Sequence, residues 1–157
     1  MNSQDSFQEV GAPENVWWAY LGNGYEAARN CGSFRLTDRI TTPAELQVGD
    51  LIVHERRRVI VSVCRIFQVF AKSEVAGSSW TVTGEFYDLT CPVKFADIRD
   101  ALQEAGPPDG PLSYADGSGE PGDLYRFNQA ALQVVLDRTA SVILWFTDTE
   151  RSEVHPA

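Results

Sequence analysis

Between Leu51 and Leu89 the chain is dense in β-branched and aromatic residues and shows no helical period, so its fold must be organised around strands. Leu51 to His54 reads as one strand, Glu55-Arg56-Arg57 as a turn, and Val59 to Lys72 as a second strand, which together make a hairpin. Trp80 to Leu89 adds a third strand, with Gly84 placed for a bulge. Helical signals are short and lie on either side of this run. Tyr25 to Cys31 reads as a helix closed by Gly32, and Thr42-Pro43-Ala44-Glu45 matches a capping box that supports one turn as far as Gln47. Ile98, Ala101, Leu102 and Ala105 recur at helical spacing and predict a helix over 96–105, stopped by Gly106-Pro107-Pro108. Asn128 is placed to cap a helix whose apolar face is Ala131, Leu132, Val135 and Leu136. The expected fold class is α+β: a twisted, mainly antiparallel barrel of five or six strands with short peripheral helices.

A chain of 157 residues suits one domain, and 43% hydrophobic with 22% charged residues is enough for a sizeable core. The domain is expected over 16–147, between a mobile leader at 1–15 and a mobile tail at 148–157, both polar and without periodicity. The aromatic run Val16 to Leu21 opens it as a buried strand, stopped by Gly22-Asn23-Gly24. Leu124 to Phe127 and Ser141 to Phe146 predict two late strands. Residues 106–123 hold five Gly, four Pro and three Asp and read as a long surface loop. Cys31, Cys64 and Cys91 are odd in number and far apart, as expected of reduced thiols. No apolar run follows a basic stretch at the N-terminus, so the expectation is a cytoplasmic protein with no membrane partner.

Enzymatic signatures are sparse. His54 and His155 are the only histidines, too few for a histidine metal triad, and no phosphate loop, dinucleotide fingerprint or nucleophile elbow occurs. A cysteine paired with His54 could serve a small hydrolase or transferase, although core thiols need no such role. The expectation is a binding module without catalytic residues, metal or cofactor.

The net charge of −9 is polarised along the chain: residues 16–72 carry eight basic against five acidic groups, whereas residues 73–157 carry five against fourteen. Arg56, Arg57 and Arg58 sit together at the hairpin turn, where at least two must reach solvent and suit phosphate groups. Seventeen aromatics are the other conspicuous feature. Trp17 and Trp18 must face opposite sides of a sheet, so Trp17 is assigned to the core and Trp18, which shares its face with Tyr20, to a pocket.

Four pieces occur in a telling order: Trp17-Trp18-Ala19-Tyr20, then Val48-Gly49-Asp50 before Leu51-Ile52-Val53, then Trp80 leading to Tyr87-Asp88-Leu89 and a Pro92-Val93 turn, then Leu124-Tyr125-Arg126-Phe127 before the last helix. This order resembles the PUA superfamily, and within it the EVE-type domains related to YTH and ASCH modules, over residues 16–138. The resemblance implies a nucleic-acid-binding module that reads a modified base by base flipping, in RNA or in DNA with DNA the favoured target, as the sensor of a restriction or defence system with a nuclease as partner or fused domain. Trp18, Tyr20 and Trp80 would wall the base pocket, Arg35 and Asp88 would read the base edge, and Arg56, Arg57 and Arg58 would touch the backbone. The alternative is a protein-interaction or regulatory domain that uses the acidic half of the same barrel.

Overall fold

The long β run folds into one hairpin that carries the rest of the molecule. A computed structural model describes residues 15–74, 77–106 and 120–139. Its six strands are β1 (Val16–Tyr20), β2 (Ser33–Leu36), β3 (Leu51–Arg56), β4 (Val59–Glu74), β5 (Gly77–Lys94) and β6 (Asp123–Arg126). Its helices are α1 (Tyr25–Cys31), α2 (Phe95–Ala105) and α3 (Gln129–Leu136), with 3-10 turns at Gly22–Gly24 and Pro43–Glu45. The strands form a single sheet in the order β2-β5-β4-β3-β1-β6. All pairings are antiparallel except β1 with β3, which run parallel with Val16 beside Leu51.

The sheet curls until its two outer strands meet at one end. There the Thr37 amide donates to the Gly122 carbonyl at 2.9 Å, and Arg39 pairs with Asp123. The result is a mixed α/β half-barrel with short helices, as the strand-dense sequence implied. Among the described residues no helix is long and apolar enough to cross a membrane.

Strand alternation splits the core into two layers. The barrel face buries Trp17, Phe34, Ile52, Cys64, Ile66, Val82 and Leu124, with α1 closing one end through Tyr25 and Ala28. The opposite face buries Trp18, Val53, Val63, Leu89 and Tyr125 beneath Ile98 and Leu102 of α2 and Leu132 and Val135 of α3. Trp17 and Trp18 do face opposite ways, but each finds a cover.

The helix ends fall close to the residues that signal them. Gly32 and Gly106 end α1 and α2 in the left-handed region, with φ of 72° and 65°. The Asn128 side chain accepts from the Ala131 amide at 2.7 Å and donates to the Ala105 carbonyl at 3.2 Å, so one residue caps α3 and ties it to α2. At Thr42 the hydroxyl accepts from the Ala44 amide, and the turn is 3-10 rather than a full capping box. Pro92-Val93 is no turn: β5 runs straight through it to Lys94.

Gly84 lies where irregularity was expected, but the extra residue is on its partner strand. Ile66 pairs with Gly84 and Gln68 with Thr83, which leaves Phe67 as the bulged residue. A Cβ at Gly84 would come within 2.5 Å of the Arg65 carbonyl oxygen and 2.6 Å of the Cys64 Sγ, so this close strand contact needs glycine. The leader before Asn15, most of the 106–123 loop, the Ser141–Phe146 strand and the tail lie outside the described residues.

Candidate functional site

A cavity of about 330 Å³ opens beside the seam where the sheet curls together, between α1 and β2. Leu21, Ala28 and Phe34 supply apolar walls, Cys31 and Arg35 add polar groups, and Gly122 faces them from the start of β6. Glycine serves the seam at that point: Gly122 has φ of 96°, and a Cβ would come within 3.0 Å of the Thr37 methyl group. Arg35 is exposed on β2 and makes no ion pair or hydrogen bond among the described residues. A concave apolar site with one free guanidinium can take a planar polar ligand and hydrogen-bond its edge.

The seam beside the cavity is held by a carboxylate. Asp123 is 1% exposed and receives the Arg39 Nε at 2.9 Å, a second Arg39 nitrogen, the Glu120 amide at 2.8 Å and the Tyr125 hydroxyl at 3.3 Å. Asp123 holds the Arg39 guanidinium more firmly protonated than usual. Burial and then the Asp123 charge push the Tyr125 phenol up to about 12. Several donors on one buried carboxylate make this a rigid joint.

A second cavity, about 420 Å³, lies at the other end of the sheet beside Asn15, Trp17 and Phe127. Its charges already satisfy each other, since one Arg126 nitrogen donates to both Glu45 oxygens at 2.8 Å.

The residues expected to form one pocket are dispersed. Trp18 is fully buried under α2 and α3, in edge contact with Phe95 at 6.1 Å and tilted on Phe127 at 5.5 Å, so its pocket role is corrected to a core role. Trp17, assigned to the core, is there, and its Nε1 donates to the buried Asp50 carboxylate at 3.0 Å. Tyr20 is half-buried at the end of β1, paired with Asp123 across the strands. Trp80 is half-buried against the barrel-face core, on the other side of the sheet from Trp18. Asp88 is bound by Arg29, whose Nε sits 2.8 Å from Oδ1 and whose second nitrogen takes Oδ2. That pairing holds the Asp88 carboxyl below the usual carboxylate range and occupies the acceptors an edge reader would need. Arg35 alone of the five borders a cavity described here.

The three arginines of the hairpin tip are not equivalent. Arg56 is partly buried and lies 3.6 Å from Glu26 of α1. Arg57 and Arg58 are exposed at positive φ, 54° and 66°. Both central residues of a two-residue hairpin loop then occupy the region usually given to Asn-Gly. The strain is held in place from two sides: the Arg58 amide donates to the buried Glu55 carboxylate at 3.1 Å, and its carbonyl accepts from the Phe95 amide at 3.0 Å.

An aromatic enclosure does exist, in a place the sequence reading missed. Inside the barrel His54 stacks on Phe86 at 5.0 Å and meets Phe34 edge-on at 5.1 Å and Tyr25 at 6.0 Å. The protein's own imidazole fills the box. Burial pushes the His54 pKa down to about 3, so the ring is neutral at physiological pH. Burial also pushes the Cys64 thiol up to about 12, the reverse of what a nucleophile paired with His54 needs. Alternation along β3 would have put His54 on the Ile52 face, but the identity of its neighbours depends on cross-strand register, which no local pattern carries. Among the described residues no cluster of His, Cys, Asp and Glu is arranged to hold a metal.

No protein-family model matches the chain, and the curated proteins contain no match to it.

Proposed function

We propose that this chain is a PUA-like nucleic-acid-binding module that admits one extruded, modified base of DNA into the cleft between α1 and β2, as the sensor of a restriction or defence system. The observation that carries this reading is the cleft itself: about 330 Å³, walled by Phe34 and Leu21, with the exposed Arg35 at its edge. That volume falls at the lower end of the range for small-ligand sites, roughly 300–1,000 Å³. The Arg35 guanidinium reads the base edge with part of its five-donor fork and takes the phosphate of the strand entering the cleft with the rest, and the exposed Arg57 and Arg58 take up further phosphates. Any strand-cleaving chemistry resides in a nuclease that is a partner or a fused domain.

The test is a binding panel of unmodified, methylated and hydroxymethylated oligonucleotides, in duplex and single-stranded form. Ala27→Trp, on the exposed side of α1 bordering the cleft, should abolish preference for a modified base without unfolding the domain. Arg35→Ala should cost about 1.5–3 kcal/mol, the range for hydrogen bonds involving charged groups. Unchanged preference in both variants would remove the cleft from consideration.

One observation favours a second reading, a protein-interaction domain: Asp97, Asp100 and Glu104 are all exposed along α2. If the panel shows no nucleic-acid binding, this acidic helix is the surface to probe next with a basic partner.

A further inference from the structure

The outer face of the sheet changes character along its length. Near β1 and β3 it is covered by α2 and α3, but beyond the row where Arg65 faces Glu85 no described helix covers it along β2, β5 and β4. Register fixes what is displayed there. Arg35 pairs with Thr81, which pairs with Phe70, and in the next row Ser33 pairs with Thr83, which pairs with Gln68. All six side chains share one face, because Phe34, Val82 and Val69, their alternating neighbours, pack against the barrel core. Phe70 is 52% exposed, and Phe67, at the bulge beside this face, is 48% exposed.

Three features identify the occupant. The six residues include an exposed guanidinium, three hydroxyls and an amide but no carboxylate, on a chain whose net charge is −9. The bounding row sets Arg65 against Glu85 and adds no net charge. The exposed ring of Phe70 shares its row with Thr81 and Arg35 and the next row holds Gln68, Thr83 and Ser33, a mixture of one ring with hydrogen-bonding groups that suits a stacked base. Arg35 also borders the cleft, so the open face and the cleft share one cation.

We infer that this face is a track for single-stranded nucleic acid: Phe70 stacks a base and Arg35, two strand spacings or roughly 10 Å away, holds a phosphate where the strand passes towards the cleft. The inference rests on the nucleic-acid reading above and extends it to the nucleotides beside the base that is read. Thr81 lies between the two groups, and the strand crosses it.

Stacking tolerates any base, so unmodified single-stranded dT10 probes the track independently of base reading. Anisotropy titrations should show Phe70→Ala weakened roughly 5- to 100-fold for dT10, Phe70→Tyr close to the parent, and Thr81→Glu weakened by its new charge. Phe70→Ala should leave the salt slope unchanged, whereas Arg35→Ala should reduce it by about one. Equal dT10 affinity in Phe70→Ala and the parent, or no dT10 binding by the parent, would overturn the track. Loss of base reading alone shows differently, as equal affinity for modified and unmodified oligonucleotides with the dT10 effects intact. Phe70 is exposed, so its substitution tests binding without the ambiguity of unfolding.

Discussion

The two halves of the sheet spend their aromatic residues differently. Along β1 and β3 the sheet is sealed on both faces, with Trp18 at 0% and Trp17 at 3% exposure. Along β2, β5 and the part of β4 around Phe70 the described residues seal only the barrel face, and Phe70 is 52% exposed on the other. A hydrophobic ring removed from water contributes stability, and one left at the surface of an otherwise polar face contributes little. The sealed half therefore holds the fold together, and the open half is free to meet a ligand. The cleft and its seam lie where the open edge strand β2 is drawn back to the sealed strand β6.

The largest effect that could break this division is at Trp18. Trp18→Ala leaves a large cavity under α2 and α3 and should cost about 3–5 kcal/mol in urea unfolding, while Phe70→Ala should stay within about 0.5 kcal/mol of the parent. Comparable destabilisation at the two positions would show that the open face is not open.

Much of this was legible in the sequence, and the limits have a physical pattern. Gly32, Gly106 and Asn128 announce helix ends because capping is settled within a few residues. The strand-rich middle is equally local. Parity correctly separated Trp17 from Trp18, but parity cannot say whether a face is covered, because α2 and α3 come from residues some 80 to 120 positions further along. The same limit explains Asp88, whose partner Arg29 is 59 residues away, and Asp123, whose partner Arg39 is 84 away. Arg35 survived as a site candidate since no described residue at long range claimed it.

The next effect concerns the aromatic box. His54 titrates near 6.5 when unfolded and at about 3 when folded, so the unfolded chain takes up a proton that the folded chain refuses. The group whose folded pKa is depressed in this way is a base, and its contribution to stability is therefore lost as pH falls from 6.5 towards 3. By pH 5 the loss should be about 2 kcal/mol. Denaturation at pH 7 and pH 5 measures it in a range where most carboxylates stay ionised. His54→Leu should flatten that dependence, and an equally steep fall in the variant would place the titrating group elsewhere.

The smallest effect has the sharpest sign. Arg57 and Arg58 sit at positive φ without the glycine or asparagine that such a turn favours, and a left-handed conformation costs a side-chain-bearing residue about 1–2 kcal/mol. Replacing the pair by Asn-Gly keeps the turn geometry and the Arg58 backbone hydrogen bonds to Glu55 and Phe95, since both use main-chain atoms at that position. The variant should therefore be more stable, by about 1 kcal/mol in urea. If the arginines hold phosphates, the same variant should bind oligonucleotides more weakly at every sequence, and its salt slope should fall by about one for each phosphate no longer held. A gain in stability with weaker binding is the signature of strain kept for function. A gain in stability with binding and salt slope unchanged would leave the hairpin tip outside the interface and confine phosphate binding to the open half of the sheet, where Arg35 stands.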